Sequence, residues 1–507
     1  MKSFLKWAAI VVGSLILLLV VVVGIFLGWL RWSGKRDWQR AEAELRAKGE
    51  KLTFAELVPP MPRENENFFA DPLWAGYTDL VRTNRRGCDG VEREVLDLRI
   101  PSDQQPIRRW QKVPLSSQEA DTVMRITGKA GSKRTPDRVA AYGDLRSRLR
   151  YEKNAERKKE LAALTLQILS PADGMLARIT ELSKRPRAQF PLRYDLIKQE
   201  GCIPNQFSQQ TEILLLSQML MLRATSELLL GKNAEAAADA EALLRLSFIQ
   251  QNEPLLMALL VRVSTTSVAL QVLDQGLADH TWTAGQLTLY QSLLEKIDLP
   301  GNLLFALRGE RVYVWTALSA QKPFSSIAQG LLNKDVAYHA LMMQSALERM
   351  EGAREKTGWN NATAHFFKDE QDALEHSPFH RILYMLVTLA NTGVETAFGK
   401  TAECQTQVDQ SLLACALERY RLAHGSYPVS LDALAPEYLT KLPNSPITGK
   451  PMNYSLNTDG SFLLWSPGWD LKSLGGKPGE FTGEGDIVWG QPLPKAKRPT
   501  ADSSRDN

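Results

Sequence analysis

The side chains best suited to chemistry lie between residues 365 and 380, in the segment HFFKDEQDALEHSPFH. Its imidazole and carboxylate groups include His365, Asp369, Glu370, Glu375, His376 and His380. Such groups at short spacing are common ligands of transition metals. His376 and His380 have the spacing of a helical metal pair, but Pro378 breaks a helix between them and no HExxH motif is present. The segment therefore favours solvated histidines over a metal centre.

Motifs for other chemistries are missing from the sequence. It contains no GxSxG nucleophile motif, no GxxxxGKS phosphate loop, no CxxC pair and no GxGxxG that opens a helix. The chain has 507 residues, 44% hydrophobic and 23% charged, which excludes a disordered, collagen-like or disulfide-stapled small protein. Its formal charge of +4 is too small for this length to indicate a nucleic acid partner.

One uninterrupted apolar segment, from Trp7 to Leu30, is long enough to cross a bilayer. As a helix it spans roughly 36 Å, and no charged residue interrupts it. Trp29 and Trp32 lie at its far end, where the aromatic residues of a membrane interface are found. The run is longer than that of a signal peptide and continues into LRWSGKR without a cleavage site. We predict an uncleaved transmembrane anchor over 7–30.

Charges on the two flanks of the anchor do not decide its orientation. The N-terminal flank, 1–6, carries Lys2 and Lys6. The helical stalk and linker predicted over 31–60 begins with the cations Arg31, Lys35, Arg36 and Arg40. A very short flank before a long apolar run most often stays in the cytoplasm. We expect a single-pass inner-membrane protein that contacts the lipid bilayer through 7–30 and has its bulk in the periplasm.

The four cysteines leave the redox compartment open. Cys404 and Cys415 fall on one predicted helix, about 16 Å apart, so they cannot bridge each other. Cys88 and Cys202 each follow a glycine in a loop-like stretch and form the candidate disulfide pair. Reduced, buried thiols are the alternative.

Residues 61–400 are predicted to form an irregular α-helical body. The helical pattern is clearest over 209–296. There, LLLG followed by NAEAAADAEALLRL resembles one antiparallel hairpin of a tetratricopeptide-type repeat, with Gly231 ending the first helix. No period near 34 residues recurs, which favours an irregular domain over a peptide-binding solenoid. The apolar segment that begins at Ile382 is too short to span a bilayer and is predicted to be a buried core helix.

The early part of the body, from Phe69 to Glu200, reads as short helices and loops with a basic stretch over 125–160. Only Tyr142 and Tyr151 interleave with the cations of this stretch, a sparse platform for nucleic acid bases. A solvated helical face is favoured, and a surface for anionic lipid headgroups or a polyanion is the alternative.

The stretch 416–470 follows an order of helix, turn, short helix and hairpin. The helix ends at Gly425 in the turn GSYP, and Asp459 with Gly460 forms a hairpin turn between YSLN and SFLLWS. In this order it resembles the C-terminal globular module of the type II secretion major pseudopilins. The matching positions are Tyr420, His424, Gly425, Pro428, Leu431, Leu434, Leu442, Gly449, Pro451, Tyr454 and Ser461. The resemblance implies an α+β module, which we place at 401–490.

The resemblance also implies a calcium ion after the hairpin, because this family commonly holds Ca²⁺ there through carboxylate and carbonyl oxygens. Asp470 and Asp486 are the matching residues, but Lys472 stands where a further carboxylate would help. A turn held by Asx hydrogen bonds is the alternative. The prepilin cleavage site and its Glu are missing, so the chain does not resemble a fibre subunit. As a whole it resembles uncharacterised membrane-anchored helical proteins of bacteria that end in this module.

Two functions of different class follow. The favoured one is a non-enzymatic envelope protein that docks other proteins, linked to a type II secretion or pilus-like assembly. The alternative is an envelope hydrolase whose site is built from carboxylates and histidines distant in sequence. Trp465, Trp469 and Trp489 can present an aromatic surface to a sugar or peptide, although such residues usually fill the core of a small sheet. Residues 491–507 are predicted to be a disordered tail.

Overall fold

The architecture is mainly helical, with a two-stranded sheet early in the chain and a three-stranded antiparallel sheet near its end. The computed structural model describes residues 2–77, 80–86, 92–98, 110–126, 137–200, 208–320, 326–356, 358–359, 385–479 and 485–491. The predicted fold class, mainly α with an N-terminal apolar helix and a small C-terminal sheet, is confirmed. The domain boundaries stay predictions.

The α-helices are α1 (Lys2–Ala47), α2 (Phe54–Leu57), α3 (Ser117–Ile126), α4 (Arg138–Tyr151), α5 (Ala155–Leu169), α6 (Asp173–Ser183), α7 (Ile197–Glu200), α8 (Ser208–Leu229), α9 (Asn233–Leu246), α10 (Leu256–Ala278), α11 (Ala284–Leu294), α12 (Leu299–Ala320), α13 (Ser326–Lys356) and α14 (Met385–His424). The strands are β1 (Leu80–Arg86), β2 (Glu92–Leu98), β3 (Asn453–Leu456), β4 (Phe462–Pro467) and β5 (Asp486–Val488).

Helix α1 runs without a break from the apolar segment into the folded body. Its apolar side chains from Leu15 to Trp29 are largely exposed, and this part of the helix is long and apolar enough to span a membrane. From Leu30 onward one face is buried against α13, through residues such as Trp38 and Leu45. Gly49, with φ of 79°, follows the helix, so the chain turns before its prolines are reached.

Several body helices that follow each other in the chain pack together. α8 and α9 form the predicted hairpin, and Gly231 in the turn has φ of 74°, a conformation that favours glycine. The small side chains Ala236, Ala237 and Ala240 are buried in α9, where they let the helices approach closely. α10 is also long and apolar enough to span a membrane, but 67% of its apolar 18-residue window is buried in protein, as expected of a core helix.

The early body also contains a β-hairpin that the prediction of short helices and loops missed. β1 pairs antiparallel with β2, with Leu80 opposite Leu98 and Thr83 opposite Val95. The sequence carries Asp89–Gly90 between the strands, a dipeptide that favours hairpin turns, and this signal was the one available. In the basic stretch most described cations are exposed, as a solvated face requires. Arg138 is the exception, buried with its guanidinium donating to three backbone carbonyls.

The C-terminal sheet has the order β3, β4, β5, with both pairs antiparallel. The predicted hairpin is confirmed: Leu456 lies opposite Phe462, and Gly460 in the turn has φ of 83°. Gly425 ends α14 with φ of 82°, also as predicted. The Tyr454 hydroxyl donates to the carbonyl of Pro428 at 2.7 Å, so the GSYP turn is fastened to β3.

A single hydrophobic core runs from the early body into the C-terminal sheet. Buried residues of the sheet region, including Leu439, Leu464 and Ile487, belong to the same cluster as the body helices. α14 is shared, because it packs on α10, α11 and α12 and also on β4 and β5. Within the Ile382 segment the described residues begin at Met385, in α14, and the side chains of this segment are not described, so its burial stays a prediction.

Candidate functional site

The histidine-rich segment, 365–380, lies outside the described residues, as do Cys88, Cys202 and the tail after Gln491. The predictions made for them, solvated histidines, a disulfide pair and a disordered tail, stay predictions. Cys404 and Cys415 are free and buried. Within the described part of the chain, no group of three or more His, Cys, Asp or Glu side chains is placed to hold a metal ion.

The two candidate calcium ligands lie in different environments. Asp470 is exposed, and its Oδ1 accepts the N–H of Lys472 at 3.1 Å, an Asx turn. Asp486 is 1% exposed, and its Oδ2 accepts the N–H groups of Leu474 at 2.9 Å and Gly476 at 2.8 Å. Its Oδ1 has no hydrogen-bond partner among the described residues. The buried carboxylate thus stabilises the loop through Oδ2, while Oδ1 has no hydrogen-bond partner among the described residues and is available to a cation. Calcium binding stays a prediction.

A cleft of about 600 Å³, lined by both apolar and polar side chains, opens between α10, α14 and the end of β5 with the segment after it, and Arg150 of α4 also lines it. α10 contributes Gln271 and Asp274, one helical turn apart, and α14 contributes Gln407 and Gln410 at the same spacing. Trp489 closes one side. Amide side chains both donate and accept hydrogen bonds, so the cleft can bind a polar ligand in more than one orientation.

Asp274 is the acidic group among the described residues that line this cleft. Its Oδ1 accepts the Ser411 hydroxyl at 2.7 Å and the Trp489 indole N–H at 3.0 Å. Burial raises the pKa of Asp274 to about 7, against the lowering effect of these two hydrogen bonds. Near neutral pH the carboxyl is therefore divided between its acid and its anion.

Gln410 fixes the edge of the sheet to α14. It is fully buried, and its Nε2 donates to the carbonyl of Ile487 at 2.7 Å. Its Oε1 is buried with no hydrogen-bond partner in the described structure. Because β5 meets α14 through this amide, the cleft forms where the body joins the C-terminal sheet.

The three tryptophans do not form one exposed platform. Trp489 stacks on Phe462 at 5.0 Å between ring centroids, and Trp469 donates to Glu403 at 3.2 Å. Trp465 donates to the Ser473 hydroxyl at 2.9 Å. Trp469 and Trp489 are partly buried against the main core, and Trp489 alone among the three lines the cleft.

A second polar cluster, which sequence reasoning missed, surrounds Glu418. This side chain is 2% exposed and accepts Nη2 of Arg421 at 2.6 Å and the Tyr427 hydroxyl at 2.8 Å, while His280 Nδ1 lies 3.0 Å away. Burial alone would raise the pKa of Glu418, but these partners lower it. The cluster ties the end of α10 to α14 and the GSYP turn. No spacing in the sequence points to it, because His280 is 138 residues from Glu418.

A second cavity, of about 730 Å³, lies beside the turn at Asp71 and the start of α6. Its charged groups, Asp71 and Arg178, form an ion pair with each other. Trp110 in its wall donates to the carbonyl of Ile168 at 3.3 Å. The ion pair and the indole of this cavity are therefore already partnered, unlike the Oε1 atom of Gln410 in the described structure of the cleft.

No protein-family model matches the chain, and comparison with curated proteins and with solved structures gives no match either. The likeness to the pseudopilin module therefore rests on the residues named above and stays a prediction.

Proposed function

We propose that the protein is a single-pass, membrane-anchored and non-enzymatic docking protein of a bacterial inner membrane, with its bulk in the periplasm. We further propose that it serves a type II secretion or pilus-like assembly. The apolar part of α1 supports the anchoring. The ordered set of pseudopilin-like residues over 416–470 supports the class of assembly.

The observation that carries the proposal is the continuity of anchor and body. A Cβ built on Gly34 of α1 would lie 2.2 Å from the carbonyl oxygen of Gly330 in α13, so the two backbones touch. Asp37 and Lys334 add an ion pair between the same helices. A tethered enzyme needs only a flexible stalk, whereas a docking protein must hold its partner at a set position relative to the membrane.

A buried ion network fixes the end of α1 to the body. Glu50 accepts Nε of Arg308 at 3.1 Å and Nη2 of Arg311 at 2.6 Å. Arg311, only 2% exposed, also donates to Gln344 on α13 at 2.7 Å. Since a buried charge without its partner is costly, this network holds α1, α12 and α13 in one arrangement.

The cleft supports binding rather than hydrolysis. Most of the polar side chains that line it are amides, and among the described residues Asp274 is the carboxyl and Arg150 the cation of its lining. Ser411 is fully buried and donates to Asp274, so its oxygen cannot be reached by a substrate. We therefore assign the cleft to a polar segment of a partner protein.

Site-specific photo-crosslinking in the native host tests this proposal. A photo-reactive residue at Gln271, exposed at the cleft, should capture a defined partner, whereas one at Thr288, exposed on α11 away from the cleft, should not. In spheroplasts, external protease should reach the body. Protection of the body, or equal capture from both positions, would contradict the proposal.

The envelope hydrolase is the second candidate, and one observation favours it: Asp274 has the pKa of about 7 that a general acid needs. An Asp274→Asn variant distinguishes the two functions. Hydrolysis of envelope peptides or glycans by the purified full chain, lost in this variant, would favour the enzyme. Crosslinking from Gln271 that survives the substitution would favour docking.

A further inference from the structure

We infer that the membrane-proximal end of the body binds the headgroups of anionic phospholipids. The inference rests on the membrane anchoring proposed above. The site is the basic collar, defined as Arg31, Lys35, Arg36 and Arg40 on α1 with Lys334 on α13.

The helix packing places the start of α13 at the level where α1 leaves the apolar segment. Gly34 meets Gly330, and farther along both helices Lys48 Nζ lies 2.9 Å from Glu348. The two helices therefore run parallel, with similar spacing along each. The first turn of α13 is thus level with about Leu30, the first buried residue of α1 after the exposed apolar stretch.

Helix α12 returns toward the same level from the opposite direction. Its Arg308 bonds Glu50, near the far end of α1, and its Trp315 stacks on Trp38 at 3.6 Å between ring centroids. Helix α12 therefore runs antiparallel to α1, with its C-terminal end toward the apolar segment. The C-terminal end of α12 and the N-terminal end of α13 both face the layer at which α1 enters the membrane.

Two tryptophans lie in this layer, each with a cation beside its ring. Trp29 is 53% and Trp32 is 56% exposed, as side chains at an interface are. The Arg36 guanidinium lies 4.5 Å from the Trp32 ring centroid, and Lys334 Nζ lies 5.8 Å from that of Trp29. Both cations are thereby held beside rings that prefer the headgroup zone.

The charge of the collar is concentrated and exposed. Its four cations on α1 are exposed, and Asp37, the acid among them, is already paired with Lys334. Five cations and one acid give a formal charge of +4, equal to that of the whole chain, so the rest of the molecule is neutral on balance. The cations from Arg31 to Arg36 lie within about 8 Å along the helix axis, comparable to the depth of a headgroup layer. Phosphate groups of anionic lipids complement this arrangement.

Lipid selectivity of the full chain in vesicles tests the inference. Reconstitution into phosphatidylcholine with spin-labelled phosphatidylglycerol or phosphatidylcholine gives the relative association of each lipid with the protein. We expect about a fivefold preference for phosphatidylglycerol, the effect of about one cation near the surface. Substituting Gln for the four α1 cations (R31Q, K35Q, R36Q, R40Q) should reduce it to no preference.

A matched control changes four exposed cations of the basic stretch instead (R148Q, K153Q, R157Q, K159Q) and should keep the preference. Loss in the control as well, or retention in the collar variant, would overturn the inference. If the collar variant does not fold, wild-type protein at 1 M salt should lose the preference, and a preference that persists at 1 M salt would overturn the inference.

Two further measurements separate this inference from its alternatives. Binding of inorganic phosphate to the detergent-solubilised protein with equal strength would point to a free anion and overturn the lipid assignment. Extraction of the chain from membranes by alkaline carbonate would contradict the proposed anchoring. A membrane-bound chain without lipid selectivity would contradict only this inference.

Discussion

At the scale of the residue, several core carboxyl groups titrate near neutral pH. Burial raises the pKa of Glu227, Glu253, Asp274 and Asp409 to about 7 in each case. An acid whose pKa is raised in the folded state binds more protons there than in the unfolded chain. Each of these groups therefore contributes least to stability when it is ionised. Their contribution to the free energy of unfolding falls as pH rises from about 4 to about 7.

The substitution Asp274→Asn tests this for the cleft. The amide keeps an oxygen to accept from Ser411 and Trp489 but carries no charge. We expect the variant to be more stable than wild type at pH 8, by on the order of 3 kcal/mol, and similar to it at pH 4.5. Thermal unfolding of the full chain in detergent at several pH values measures this. Parallel pH profiles for the two proteins would mean that Asp274 titrates as in the unfolded chain.

Asp486 and Asp470 form a matched pair for the loop after β4. Asp486→Ala removes the acceptor of two backbone N–H groups and should cost about 1–3 kcal/mol. Asp470→Ala, at an exposed turn, should change stability by less than about 0.5 kcal/mol. Unfolding curves recorded with a chelator and with millimolar calcium check both. If calcium is bound, it should raise the melting temperature of wild type but not of Asp486→Ala.

At the scale of the element, the joint between α1 and α13 decides how the anchor meets the body. Helices approach this closely only where neither carries a side chain, and here both positions are glycine. Around the joint, α1 contributes Trp38 and Ala41 to a small cluster that also contains Val336 and Ala337 of α13. The joint is therefore a packed interface between helices that are far apart in sequence.

Gly34→Ala should separate these two helices. The added Cβ meets a backbone carbonyl at 2.2 Å, which cannot move aside as a flexible side chain can, so we expect a loss of about 1–3 kcal/mol. Gly352→Ala, farther along α13 with open space around its Cβ, is the control and should be neutral or stabilising by up to about 1 kcal/mol. Melting temperatures of the two variants give the comparison. Equal values would mean that the helices do not touch at Gly34.

The ion network at the end of α1 supports a second prediction at this scale. Arg311→Met leaves Glu50 buried with one guanidinium partner in place of two, and should cost about 3 kcal/mol. Arg354→Met breaks an ion pair with Asp298 in which both side chains are about half exposed, and should cost less than about 1 kcal/mol. Denaturant unfolding of the two variants measures the difference. A loss for Arg311→Met no larger than that for Arg354→Met would show that the network does not hold the joint.

At the scale of the whole molecule, the C-terminal sheet and the helical body share one core. The sheet residues Leu464 and Ile487 pack in the same cluster as the body helices, and Gln291 of α11 donates to the carbonyl of Tyr438 at 3.0 Å. The cleft exists only because these two regions meet. A partner bound there would contact both at once.

Removing residues 425–507 should therefore destabilise the body rather than leave its stability unchanged. α14 would lose its cover on the side of β4 and β5, and Asp274 would lose the indole of Trp489. We expect the shortened chain to aggregate or to melt on the order of 10 °C lower than the full chain. A truncated protein that is monomeric and melts with the full chain would mean that the body folds independently of the sheet.

Local features were determined by the sequence alone. The apolar run before Arg31, the helix ends at Gly231 and Gly425 and the hairpin at Gly460 depend on periodicity and backbone preference within a few residues, so they could be predicted. Contacts between distant residues were decided by the tertiary structure. Asp274 contacts Ser411, 137 positions away in the sequence, and Trp489, 215 positions away. α1 packs on α13 at Gly34 and Gly330, and neither glycine belongs to a recognisable sequence motif. The cleft and the place of Lys334 in the basic collar depend on such long-range packing, because no spacing along one chain segment records which surfaces will be brought together.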